Sequence, residues 1–382
     1  HFGAGGLHRF FFGTRYRELW ATPIRVPVLQ LAHFAGGLKP TVRGGGQQTK
    51  SLRLQGGDGR EYAFRLVTKD PTGILPPEMR QSLAADLLLD QMSSGHPAGS
   101  VVVAPILEAA GVLHTKPLLV QMADDPGLGE YRSEFAGLLG TIEERPKEYS
   151  GGVATFTGAH EIVGTQELLD DLDKDPEVRL NAPAFLLARL TDLLVGDWDR
   201  HADQWRWARL GVKGHQSWHP IPRDRDQAFV RFDGFILSQV RRGAPQLLNF
   251  GPEYGNITGA TWNGRNLDRR FLTELERPVW DSVTAILKAR LTDRVLADAV
   301  RQLPAELYAK DGARMEAALR SRRDQLDAIA GKYYRLLAGK VDVVATNKAD
   351  DAHEVRRAGG GTEVTLSHKG NQYFRRVFRP EE

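Results

Sequence analysis

Gly196 to Trp207 reads GDWDRHADQWRW, and it follows directly on the mostly apolar run Ala184 to Val195. Three aspartates, two arginines, a histidine and three tryptophans fall within those twelve residues. Four of the chain's seven tryptophans lie between Trp198 and Trp218, and the segment Asp197 to Asp233 holds six aspartates and no glutamate. Aspartate is a poor helix former because its carboxylate competes for nearby backbone N–H groups, so it gathers in turns and loops. The carboxylates are therefore expected on a loop, with the tryptophans as the walls that hold it. A second acidic turn follows at Pro222 to Phe229, PRDRDQAF. Two carboxylate turns joined by a tryptophan-rich hairpin read as a site.

Around that site, 382 residues leave room for two or three subdomains. With 41% hydrophobic and 26% charged residues the chain can bury a substantial core. A net charge of +3 is not the concentrated basic excess of a nucleic-acid binder, and no nucleic acid is expected as a partner. There is no cysteine, which excludes disulfides, thiol nucleophiles and cysteine–zinc sites and is compatible with cytosol or periplasm. No apolar run reaches the length of a transmembrane helix, and none at the start resembles a signal peptide. The chain begins at His1 without a methionine and reads as a piece of a longer protein or a processed form.

Taken in order, residues 1–27 mix aromatics and arginines without a clean period and read as a connecting arm lying on the next domain. Residues 28–122 read as a β-rich lobe. Val28 to Leu54 is strand-like with Gly44, Gly45 and Gly46 in its middle, Glu61 to Thr68 alternates as a strand, and Gly56-Gly57-Asp58-Gly59 turns between them. Taken alone, the glycine cluster is an ordinary hairpin loop; it is also a backbone that can approach phosphate oxygens without a Cβ clash. Glu78 to Met92 reads as a helix, and Ser100 to Ile106 and Gly111 to Met122 as strands. Residues 123–340 read as a helical lobe, with helices at Leu138–Pro146, Gln166–Asp173, Pro183–Val195 (stopped by Gly196) and through 267–340, including a long amphipathic one over Asp311–Leu337. Residues 341–382 return to β as a small appendage, with Val341–Thr346 as its first strand.

A glycine turn in a β lobe, a helix after its third strand, and an acidic loop at the head of a helical lobe resemble a protein-kinase-like fold. In that fold a catalytic-loop Asp is followed five positions later by a metal-binding Asn, and a hairpin leads to a second metal-binding Asp. Here Asp199 is followed five positions later by Gln204, and the hairpin through QWRWARL and SWHPI leads to Asp224. GDWDRHADQ followed by PIPRDRDQAF is similar to the atypical kinases related to the spore-coat CotH kinases and, more distantly, to HipA and the secretory-pathway kinases. The resemblance implies an α+β bilobal fold that uses ATP with Mg2+ or Mn2+ to phosphorylate an unidentified hydroxyl acceptor. It makes Asp199 the general base, Gln204 and Asp224 metal ligands, and Asp226 a second or replacement ligand. The lysine that pairs with phosphates is one of Lys69, Lys50 or, as a departure, Arg65, with Lys69 preferred and Asp90 preferred over Glu78 and Asp86 as its acidic partner. The whole chain also resembles the segment lying between a calcineurin-like phosphoesterase and an outer-membrane barrel in some bacterial envelope proteins, which implies those domains as partners and a periplasmic or envelope setting.

Two other functions stay open at this stage. Gln204 in place of Asn, and the unsettled lysine, suit a degenerate kinase used as a scaffold or docking module. A metal-dependent hydrolase built from His201, Asp197, Asp199, His215 and His219 is the third, although no HxH or HExxH pattern supports it.

Overall fold

The computed structural model describes residues 13–14, 16–45, 50–68, 92–149, 152–234 and 243–380. Its N-terminal lobe is a six-stranded sheet of β1 (Val28–Leu29), β2 (Leu38–Gly44), β3 (Ser51–Gly56), β4 (Glu61–Leu66), β5 (Leu118–Met122) and β6 (Leu139–Glu144), in the spatial order β1-β5-β6-β4-β3-β2. β1 runs parallel to β5 and all other neighbours are antiparallel. The β3–β4 turn closes because Gly59 takes φ +81° and the Asp58 carboxylate accepts the Arg60 N–H at 3.0 Å.

Because successive side chains of a strand face opposite ways, the register divides this sheet into two surfaces. Leu52, Leu54, Tyr62, Phe64 and Ile142 share one surface and bury themselves with Leu128 and Phe135. Arg53, Arg65, Thr141 and Glu143 share the other.

The helical part holds α1 (Gly99–Ala110), α2 (Thr165–Lys174), α3 (Ala182–Val195), α4 (Arg265–Phe271), α5 (Arg277–Arg290), α6 (Asp293–Val300), α7 (Ala313–Asp324) and α8 (Leu326–Ala338). A three-stranded antiparallel unit, β7 (Glu161–Val163), β8 (Trp205–Leu210) and β9 (Ser217–Pro222), is inserted among them. The chain ends in a second three-stranded sheet, β10 (Asp351–Arg356), β11 (Thr362–His368) and β12 (Asn371–Phe378). That sheet is fastened to the helices by the buried Arg376, which donates to the Thr273 carbonyl, and by the Val377 N–H to Glu276 at 3.1 Å. The architecture is thus α+β and bilobal, with a β-rich N-lobe, a helical C-lobe and a small C-terminal β unit. Among the described residues no helix is long and apolar enough to cross a membrane.

Four local expectations are corrected. Ser100–Ile106 is helix, inside α1, although its valines read as strand. Val102, Val103 and Ile106 are all fully buried, and a short run that is apolar on every side carries no period to tell helix from strand. Leu138–Pro146 is strand, β6, whose Ile142 is buried in the sheet core and whose place between β5 and β4 gives its backbone a ladder on both sides. The sheet therefore reaches past Met122. Asp311–Leu337 is interrupted: a π-turn at Tyr308–Gly312 precedes α7, and Gln325 separates α7 from α8 with its side-chain amide on the carbonyls of Pro252 and Ser321 at 2.9 and 3.0 Å. Residues 341–346 form no strand. The described part of the arm also packs elsewhere than expected: Tyr16 enters the core of the helical part, and its hydroxyl donates to the Phe229 carbonyl at 2.6 Å. The expected helix at 78–92 lies, but for Met92, outside the described residues, and Gly46, Lys69 and Asp90 with it.

Candidate active site

The apolar helix α3 sets up the site. Asn181 caps its start by accepting the Ala184 N–H at 3.0 Å. Gly196 ends it in the left-handed conformation, φ +68°, with the N–H groups of Gly196 and Asp197 returned to the carbonyls of Leu193 and Asp192. The chain then leaves the helix abruptly and enters the loop 197–204. Trp205 and Trp207, both fully buried, anchor its far end by stacking on each other at 5.8 Å and against Phe185 of α3. The Trp207 indole N–H also reaches the Thr165 hydroxyl at 3.0 Å.

Beneath the loop lies a closed set of charges. Arg189, Arg200 and Arg225 face Asp192, Asp197 and Asp268, and all six are buried. Arg189 grips Asp268 through two nitrogens at 2.7 and 3.0 Å and Asp192 at 2.8 Å. Arg225 donates to Asp192, and to Asp197 at 3.0 Å. Arg200 lies over the Trp205 ring, 4.7 Å from its centroid, and donates to the carbonyls of Arg223 and Gln204 at 2.8 and 3.0 Å. Burial raises the Asp192 carboxyl, but Arg225, Arg200 and Arg189 more than offset it and hold it below the ordinary value. Burial pushes the Asp197 carboxyl up, and its two arginines pull it back only in part. Asp197 is thus a structural carboxylate that ties the loop down through arginines.

The same network aims the acidic turn. Arg225 points inward to Asp192 and Asp197, while its neighbours Asp224 and Asp226 line a cleft of about 400 Å³. Asp224 holds a left-handed backbone, φ +51°, an uncommon conformation for a residue with a Cβ. Asp199 lines the same cleft from the loop side, its Oδ1 accepting from Asn263 at 2.8 Å and its Oδ2 lying 4.0 Å from His201 Nε2. From the sheet come Arg65, Thr141 and Glu143, with Arg65 and Glu143 ion-paired at 3.2 Å. One wall is His96, fully buried, with its Nε2 3.8 Å from Asp311 and its imidazole lowered to about 4 by burial.

Of the residues expected from sequence, Asp199, Asp224, Asp226 and Arg65 therefore meet in one cleft. Gln204 is near but does not line it, and its amide lies 3.4 Å from His201 Nε2. Gly44, Gly45 and Lys50 do not line it either. The Leu66 N–H bonds the Lys50 carbonyl, and the Lys50 ammonium is 3.5 Å from Glu134, near the apolar surface of the sheet. The histidines of the hydrolase reading do not gather: His215 is exposed, and His219 Nε2 is 3.2 Å from the Ser217 hydroxyl. Among the described residues no three His, Asp or Glu side chains form a cage for a metal ion. Sequence reasoning missed Asn263, His96 and the arginine–aspartate network. The network did leave one signal, an Arg and an Asp three apart inside the otherwise apolar α3.

No protein-family model matches the chain, and no curated protein does. Among solved structures it is similar to a Helicobacter pylori proinflammatory kinase, CtkA, at 12% identity over 82% of this chain and 99% of that one, with a TM-score of 0.41. It is also similar to WaaP in complex with acyl carrier protein, at 13% identity over 84% and 96% of the two chains, with a TM-score of 0.25. Likenesses this loose carry no weight beside the geometry of the cleft itself.

Proposed function

We propose that the chain is an atypical kinase that transfers a phosphoryl group from ATP to a hydroxyl acceptor. The observation that carries this reading is the convergence of Asp199, Asp224, Asp226 and Arg65 on one cleft between sheet and helices. Phosphoryl transfer asks little covalent chemistry of a protein; it asks for positioning and for neutralised phosphate charge. Asp199 is the base for the acceptor hydroxyl, oriented by Asn263 on one oxygen and presenting the other. Arg65 pairs with the nucleotide phosphates, with Glu143 as the acidic group that holds its guanidinium in place.

Asp224 and Asp226 fit Mg2+ or Mn2+: they are hard oxygen donors, and magnesium takes only one or two carboxylates beside water and substrate phosphates. When bound, the cation neutralises phosphate charge in the cleft. Gln204 as a further ligand, the glycine turn over the phosphates, the envelope setting and the neighbouring phosphoesterase and barrel domains belong to the same proposal, by sequence resemblance. A second reading, a nucleotide-binding scaffold without transfer, is favoured by the Gln204 amide lying against His201.

ATP with Mg2+ is expected to raise the melting temperature of the intact chain, by about 2.7 kcal/mol of stability at a hundredfold excess over Kd. Asp224→Ala is expected to remove the metal-dependent part and leave the apo protein folded. Wild type that shows no shift with any nucleotide and metal would falsify both readings; a shift without transfer of label from radiolabelled ATP leaves the scaffold.

A further inference from the structure

Beside the cleft lie two basic surfaces, one on the sheet and one on the hairpin, and the expected catalytic groups use only one of their arginines. On the sheet, Arg53, Arg65 and Arg145 share a surface with Glu61 and Glu143, as the register Arg53↔Ala63, Ala63↔Glu143 and the Arg145 N–H to the Glu61 carbonyl requires. On the hairpin, Trp205 and Trp207 turn into the core, so Gln204 and Arg206 turn the other way. Arg206 stands opposite Ile221, and the Arg223 N–H bonds the Gln204 carbonyl at 2.9 Å, so Arg206 and Arg223 share that second surface as diagonal neighbours.

The charges do not balance there. Glu143 neutralises Arg65, and Glu61 is paired with Arg145. Among the described residues no carboxylate lies within ion-pair distance of Arg53, Arg206 or Arg223. The Arg206 guanidinium donates to the Trp205 carbonyl at 3.0 Å. Arg65 and Glu143 of the sheet line one cleft with Pro222 and Asp224, the two residues that flank Arg223, so the two surfaces meet at its edge. Half-buried like charges repel unless an anion joins them, and guanidinium forks match the paired oxygens of a phosphate.

We infer that these surfaces of β4–β6 and β8–β9 form a binding site for a phosphate-class anion, held by Arg206 and Arg223 and bordered by Arg65. The site lies outside the Asp224–Asp226 turn and needs no divalent metal. It does not depend on phosphoryl transfer. The anion has two natural sources, the polyphosphate tail of a nucleotide or an acceptor that already carries a phosphate.

The test is calorimetric titration of the intact chain with inorganic pyrophosphate in the absence of divalent cations, at two salt concentrations. Wild type is expected to bind, more weakly at the higher salt. Arg206→Gln/Arg223→Gln is expected to weaken binding at least tenfold, and Arg206→Gln alone by severalfold, the single change serving where the double variant fails to fold. Arg209→Gln, on the same hairpin but paired with Glu161, is expected to bind like wild type. Asp224→Ala also keeps pyrophosphate binding, so this site and the metal-dependent nucleotide site are read separately. Displacement of pyrophosphate by ATP assigns the anion to the nucleotide tail, whereas simultaneous binding assigns it to a phosphorylated acceptor; either outcome supports the site. Absence of pyrophosphate binding by wild type, or undiminished binding by the foldable arginine variants, overturns it.

Discussion

Asp197 and Asp199 are two residues apart and have opposite duties, which a pair of single-atom-scale substitutions can separate. The Asp197 side chain is fully buried, with Arg225 3.0 Å and Arg200 3.5 Å from its Oδ2. Asp197→Asn leaves Arg189, Arg200 and Arg225 facing Asp192 and Asp268 alone, so one guanidinium loses its counter-charge out of reach of water. Removing one partner of a buried pair costs about 3–5 kcal/mol. Asparagine keeps an amide oxygen that can still accept from Arg225, so the lower end, about 3 kcal/mol, is expected. At about 2 °C per kcal/mol for a chain of this size, the melting temperature falls by about 6 °C. Asp199, by contrast, is 28% exposed at its side chain and accepts a hydrogen bond from Asn263, which an amide oxygen can also take. Asp199→Asn is expected to change stability by less than about 0.5 kcal/mol and to lower phosphoryl transfer by about 10²–10⁴, the usual worth of a general base. Melting curves and transfer of label from radiolabelled ATP, run on both variants, read the two effects. If Asp199→Asn unfolds the protein while Asp197→Asn melts like wild type, the structural and catalytic carboxylates are reversed and the reasoning fails.

Two further outcomes are expected, beside those already attached to Asp224 and to the arginine pair. His96 sits at about 4 when folded against an ordinary 6.5, so the unfolded chain binds its proton first as pH falls; its contribution is whole above pH 6.5 and declines toward pH 4, by about 2–3 kcal/mol at pH 4.5. Urea midpoints should therefore drop more between pH 7 and 4.5 for wild type than for His96→Asn, and equal drops would refute it. Gly196→Ala forces a Cβ into φ +68° and to within 3.1 Å of the Phe250 ring, so a loss of about 1–2 kcal/mol is expected in the same urea series; an unchanged midpoint would contradict the cap.

The parts of the site that were legible in the sequence are those with a chemical reason to be local. Aspartates avoid helices, tryptophans need burial, and a glycine after an apolar run stops a helix, so the loop after α3, the hairpin and the acidic turn can all be read from their own residues. The β2–β3–β4 meander was legible for the same reason, through its glycine turns. What could not be read depended on partners distant in sequence. α1 and β6 were assigned the wrong way round because neither VVVAPI nor LGTIEE carries a decisive period; burial on all sides in one case and a ladder on both sides in the other decided them. From sequence Lys50 and Arg65 are both candidates beside the preferred Lys69, Arg65 only as a departure, and it is the fold that puts Lys50 near Glu134 and Arg65 beside Glu143. Arg225 lies between two aspartates in the sequence, and its role depends on Asp192, which is 33 residues earlier.

The place of β6 sets an order for assembly during synthesis. It is an interior strand, with β5 on one side and β4 on the other, yet it is the last of the six to leave the ribosome. Until residue 144 has emerged, the nascent chain can hold only two fragments, the β2–β3–β4 meander and the β1–β5 pair, each with an unprotected inner edge. Both edges are exposed ladders of the kind that recruit foreign strands. Arrival of β6 closes both at once, so the sheet gains its cooperativity in a single late step, before any of the helices from α2 onward has been made.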